Sequence, residues 1–203
     1  MTIGIDIDDT ITDSYEVVRD FILTYSDDDE IKQNIEGIIR GTYVSEGTKT
    51  FYKKNSKIIG NMINVKENAK EYIDKLHNDG YKIIIITARN NDYYDDAYAF
   101  CEEYLNSYGI YYDKLIVDQP YKIKACKDNN IDIMVDDAID TIEDCDKNGI
   151  KGILFNSQIN LKKETNSKRV SSWEELYNYI IELKKIWFIN WQLNKKYYII
   201  RLT

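Results

Sequence analysis

The chain has 203 residues, 43% of them hydrophobic, which suits one core domain with an insert or a small cap. A formal net charge of −8 argues against a nucleic-acid backbone as its main ligand. Cys101, Cys126 and Cys145 form no C-x-x-C pair, and the one histidine, His77, sits at the polar end of a helical pattern, so acid–base work falls to carboxylates, lysines or tyrosines.

In Gly4-Ile5-Asp6-Ile7-Asp8-Asp9-Thr10, isoleucines alternate with smaller or polar residues, and Ile3 extends the pattern as a buried strand. The strand ends in acids and hydroxyls. In an open parallel sheet, ligands bind outside the carboxyl ends of the strands. Asp6 and Asp8 are two apart and share a face, so at the strand end they converge on one ion or one substrate atom. Paired carboxylates need a cation, and Mg²⁺ is the usual one where phosphate is the substrate. With the N-terminus running straight into this strand, no secretory signal is expected. No apolar run approaches transmembrane length, so cytoplasm is the expected compartment.

Val17, Val18, Phe21, Ile22 and Tyr25 predict a helix, and residues 31 to 41 a second short one. Gly41 to Asn55 reads as irregular. Residues 13 to 64 are therefore expected to form a mostly helical insert over the strand ends. Val65, Ala69, Tyr72, Ile73 and Leu76 form one face of an amphipathic helix, with Gly80 as its stop. Lys82 to Thr87 is a near-continuous β-branched run, as a central parallel strand needs, and it ends in Thr87-Ala88-Arg89. A helix through Ala97, Cys101, Tyr104 and Leu105 follows, then a short strand, Leu115-Ile116-Val117.

Pro120 precedes a helix near Lys122 to Asp128. Ile131 to Val135 is another buried strand, ending in Asp136-Asp137, and a helix through Ile139, Ile142 and Cys145 follows. Gly152 to Phe155 is the fifth strand, and Trp173 to Leu183 the last core helix. Strands alternating with helices predict an α/β fold with a doubly wound parallel five-stranded sheet. Its core spans 1–12 and 65–183, its helical cap 13–64, and an aromatic and basic tail 184–203.

Carboxylates, a hydroxyl and a lysine on neighbouring strand ends match a phosphoryl-transfer site. Lys122 and Lys124 both stand before the fourth strand. Lys122 is preferred, because its distance to Asp136 fits a whole helix plus a turn.

The order D-x-D-x-T, apolar strand ending in Thr, Lys, then D-D resembles the haloacid dehalogenase superfamily of phosphohydrolases. Thr87-Ala88-Arg89 and Asp136-Asp137-Ala138-Ile139-Asp140 are similar to its 5′(3′)-deoxyribonucleotidase-like branch. The resemblance implies that Asp6 is the nucleophile that forms an aspartyl-phosphate. It makes Asp8 the general acid for the leaving alkoxide and then the base for water, retaining a proton that Asp6 cannot. Asp6, Asp136, Asp137 and the Asp8 backbone carbonyl would face Mg²⁺, Thr87 would bind a phosphoryl oxygen, and Lys122 would screen nucleophile and phosphate. Asp9 stands where the family often has a small residue.

The expected activity is Mg²⁺-dependent hydrolysis of a small phosphomonoester, with nucleoside monophosphates favoured. Sugar phosphates, or a non-catalytic phosphate- or Mg²⁺-binding module, are the alternatives. Candidate substrate contacts are Ala88, Arg89, Tyr43 and Phe51. The two aromatics, with Tyr52, lie in the irregular stretch, where they either stack on a base or seal the cap.

Overall fold

The computed structural model describes residues 1–200, and the side chains of residues 1–187. Its sheet holds β1 (Thr2–Ile5), β2 (Lys82–Ile86), β3 (Lys114–Ile116), β4 (Ile133–Asp136), β5 (Lys151–Phe155) and β6 (Lys168–Val170). All pair in parallel, in the order β3-β2-β1-β4-β5-β6. The sixth strand was not expected from sequence. It is three residues long, charged, and at the sheet edge, and only Val170 is buried, so no period can show.

The chain builds outward from β1 in one direction and then crosses to build from β4 in the other. The loops after β1 and β4 therefore part, opening the crevice in which doubly wound sheets hold ligands.

Pleat alternation decides which residues face which layer. Ile3, Ile5, Ile83, Ile85, Ile133, Val135, Ile153 and Phe155 face one core, covered by α5 (Ala69–Asn78), α6 (Ala97–Ser107) and α9 (Trp173–Ile200). Ile84, Ile86, Met134 and Leu154 face the other, covered by α7 (Ile123–Asp128) and α8 (Ile139–Lys147). Gly4 lies on this second side, where a Cβ would come within 2.7 Å of Met134 Sδ. By the same alternation Asp6 and Asp136 point toward α7.

The expected boundary at residue 184 does not appear in the backbone, because α9 runs through it to Ile200. The side chains of Phe188, Trp191, Tyr197 and Tyr198 lie outside the described residues.

Between β1 and α5 lie α1 (Tyr15–Tyr25), α2 (Asp29–Gln33), α3 (Ile35–Ile39) and α4 (Glu46–Met62). They share their own apolar cluster, including Val18, Phe21, Ile22, Ile31 and Ile59, closed by Tyr104 of α6. The chain leaves and re-enters the sheet layer through one narrow stem. Thr12 pairs with Val65, Asp13 N donates to Asn64 O, and Lys66 N donates to Ile11 O.

Helix α4 corrects the irregular reading of Gly41 to Asn55. Ser45 caps it, its hydroxyl accepting from Thr48 N at 3.1 Å. Gly47, Thr48, Thr50 and Asn55 are weak helix formers, and the buried positions include Thr48, Ser56 and Gly60, so no apolar stripe marks the helix. Gly60 permits a close approach, since a Cβ there would meet Phe100 Cζ at 2.5 Å.

Candidate active site

Strand β1 delivers Asp6 to the crevice with Asp6 N still bonded to Val135 O of β4. Strand β4 ends on Asp136, with Asp137 next. One carboxylate oxygen from each of Asp6, Asp136 and Asp137 lies within 4.8 Å of the others. Lys122, at the start of α7, donates from Nζ to Asp6 Oδ1 and, at 2.6 Å, to Asp136 Oδ2. Burial pushes Asp6 up to about 7, against the pull of Lys122 and with the charges of Asp136 and Asp8 adding to it. Burial also raises Asp137, with Asp136 and Asp6 next in effect. Hard oxygen donors, buried and over-charged, are the set a small divalent cation relieves, so the residues fit Mg²⁺.

Asp8 faces elsewhere. Arg89 grips it with a fork, Nε to Oδ2 at 2.9 Å and Nη2 to Oδ1 at 2.7 Å. Partial burial alone would raise Asp8, but the guanidinium outweighs it and holds the carboxyl below its ordinary value. Asp9 adopts φ 54° and its Oδ1 accepts from Ser14 N and Tyr15 N, both at 3.0 Å. It thereby ties the acidic loop to the start of α1.

The sheet-side wall includes Thr87, Ala88 and Arg89. Across from it stand Arg40, Tyr52, Ser56 and Ile59, and the walls enclose a cleft of about 570 Å³. The loop after β5 closes the side that carries the three clustered carboxylates. Ser157 Oγ donates to Asp137 Oδ2 at 2.9 Å, and Asn160 Nδ2 donates to Asp137 O at 2.9 Å. Arg169 of β6 braces that loop through Asn156, Asn160 and Lys163.

A family model, that of the 5′-nucleotidase, deoxy (pyrimidine), cytosolic type C proteins, matches residues 1–186. The chain belongs to this family. No curated protein matches it in sequence. Its fold resembles a predicted phosphatase from Clostridium acetobutylicum, at 17% identity and TM-score 0.66, covering 89% of this chain and 98% of that one. A HAD-superfamily hydrolase of subfamily IA from Geobacter sulfurreducens is 12% identical, TM-score 0.56, over 87% and 94% of the two chains. CbbY from Rhodobacter sphaeroides, in complex with phosphate, is 12% identical, TM-score 0.59, over 86% and 95%. The chain is thus a phosphomonoester hydrolase of the haloacid dehalogenase superfamily.

In this member of the type C nucleotidase family, the structure brings Asp6, Lys122, Asp136 and Asp137 together. Thr87 lies on the wall of the same cleft. Lys124 stands apart, 83% exposed and paired with Asp128. In the metal-free protein burial raises Asp6, while Arg89 stabilises the Asp8 anion and lowers Asp8. Arg89 lines the cleft with Nε and Nη2 committed to Asp8. One expectation changes. Tyr43 and Phe51 do not line the cleft. Tyr43 OH donates to Glu30, and Phe51 packs edge-on against Phe21, with ring centroids 6.0 Å apart. Tyr52, one residue on, faces the cleft instead.

Sequence reasoning missed Ser157 and Asn160. Both lie in a loop with no motif, and only the position of Asp137 gives them a role.

The raised carboxyls predict a pH effect on the metal-free protein. Burial pushes Asp9 up to about 6, against the Tyr15 N–H, and Asp6 stands at about 7. A carboxyl raised in the folded state contributes stability below its unfolded pKa and loses it as pH rises through the folded one. The thermal midpoint of EDTA-treated protein should therefore fall between about pH 5 and about pH 7.5, and added Mg²⁺ should narrow the fall. Asp8, shifted downward, acts only at lower pH. A midpoint that is flat or rises over this window contradicts the assigned directions.

Proposed function

We propose that the chain is a Mg²⁺-dependent 5′-nucleotidase acting on nucleoside or deoxynucleoside monophosphates. The observation that carries this reading is the convergence of Asp6, Asp136, Asp137 and Lys122 beneath a cleft with Tyr52 on its far wall. The family match to nucleotidases supports the substrate class.

Asp6, Asp136 and Asp137 would hold the cation, together with the Asp8 carbonyl. When bound, Mg²⁺ supplies charge neutralisation between the phosphate and the carboxylates. Asp6 Oδ attacks phosphorus, a bond forms to that oxygen, and the bond from phosphorus to the leaving alkoxide breaks. Asp8, paired with Arg89 as an anion in the free protein, takes up a proton from solvent and passes it to the alkoxide. Water then attacks the aspartyl-phosphate, Asp8 takes water's proton, and inorganic phosphate leaves. Thr87 orients a phosphoryl oxygen, and Lys122 offsets charge on nucleophile and phosphate. Residues 13–64 act as the cap that selects the leaving group, since the chemistry itself is indifferent to it.

Phosphate release across nucleoside monophosphates and sugar phosphates, with Mg²⁺ or EDTA, tests the substrate class. Tyr52→Ala makes the test specific. If Tyr52 stacks on a base, the loss is about 1–3 kcal/mol, a rise in KM of roughly 5- to 150-fold for a nucleotide. KM for p-nitrophenyl phosphate should stay within about twofold, since it has no base. Equal loss on both substrates, or a preference for sugar phosphates in the panel, contradicts the nucleotide assignment.

A further inference from the structure

Arg89 is 6% exposed, yet it lies beside the cleft and pairs with a carboxylate whose side chain is 43% exposed. Both oxygens of Asp8 are held by the guanidinium fork, which fixes the plane of the carboxylate. Each oxygen retains a lone pair for another partner. Arg89 is itself immobilised. Its guanidinium carbon lies 5.9, 5.6 and 5.7 Å from the ring centres of Tyr94, Phe100 and Tyr104. Its backbone N–H donates to Thr87 Oγ1 at 3.3 Å, and its carbonyl accepts from Asp118 N at 2.8 Å. The remaining nitrogen, Nη1, has no hydrogen-bond acceptor, so the side chain's hydrogen bonds go to Asp8 alone.

A buried arginine held this way does little for stability that an apolar side chain could not do. We infer that Arg89 is a positioning residue: it aims the Asp8 carboxylate at the water that hydrolyses the aspartyl-phosphate. In that step water's oxygen bonds to phosphorus, the bond from phosphorus to Asp6 breaks, and water's proton passes to Asp8. The inference rests on the covalent route through Asp6 proposed above.

The test uses full-length Arg89→Met and Arg89→Lys with Mg²⁺ and p-nitrophenyl phosphate in rapid mixing. The nitrophenolate leaving group needs no proton, so attack by Asp6 proceeds without Asp8. Both variants should keep a rapid burst of nitrophenol close to one equivalent of enzyme. Steady turnover should then fall about 100-fold in Arg89→Met and less in Arg89→Lys, which keeps the charge but loses the fork. Acid-quenched protein should accumulate the phosphoryl adduct. Unchanged steady turnover, or burst and turnover slowed together, overturns the positioning role. If Arg89→Met does not fold, the burst and adduct in Arg89→Lys decide alone. Absence of any adduct in the wild type and in both variants, with turnover intact, instead overturns the covalent route itself.

Discussion

Asp6→Asn is expected to lower phosphate release by at least about a thousandfold, because an amide is too weak a nucleophile toward phosphorus. It should not unfold the protein. Asn has nearly the same shape, and Lys122 retains Asp136 at 2.6 Å. The Asp6 carboxyl, pushed by burial up to about 7, is held in its charged form at a cost near neutral pH. The neutral amide removes that cost, so the metal-free variant should melt at or above the wild-type midpoint at about pH 7.5. Phosphate release and thermal melting on the same preparation check both halves. Residual Mg²⁺-dependent turnover above about a hundredth of wild type would show that the acids bind metal without Asp6 acting as nucleophile.

The second large effect belongs to Lys122. Its ammonium is buried between Asp6 and Asp136, and Asp137 lies close by. Burial would lower its pKa, but Asp136 and Asp6 together raise it, so it stays charged. Lys122→Ala leaves carboxylates facing one another with no ammonium between them, a change that costs about 3–5 kcal/mol for a buried pair. Activity should fall by at least about a hundredfold. Mg²⁺ should return part of the stability but not the activity. Lys124→Ala, at an exposed pair, should change stability by less than about 0.5 kcal/mol and leave turnover alone. Urea unfolding with and without Mg²⁺, beside kcat, separates the two. Equal effects would mean that the buried ammonium is not what balances the acids.

The parallel sheet was legible because its strands are near-continuous isoleucine runs that both periodicity and length mark. The same runs made Asp6, Thr87 and Asp136 visible as polar residues where the apolar pattern stops. Lys122 was harder, since sequence offers two lysines at plausible spacing; spacing favoured Lys122, and the start of α7 places it against the acids. Helix α4 was not legible, because its inner face meets the cleft as well as the core and so carries Ser56 and Gly60 in place of an apolar stripe. With the helix unseen, the side facing the cleft could not be chosen among Tyr43, Phe51 and Tyr52. The bond between Asp8 and Arg89 spans 81 residues, and no local pattern encodes it. With it, the Asp8 carboxyl is held below its ordinary value in the metal-free protein.

The covalent route through Asp6 is tested most directly by trapping the enzyme in turnover. Wild-type protein with Mg²⁺ and a nucleoside monophosphate is quenched in acid within the first turnover and examined by intact mass and peptide mapping. The route predicts one added phosphoryl group per chain, located on Asp6 and absent from Asp6→Asn. Turnover with no phosphoryl group on the chain, or a group on any other residue, would contradict it.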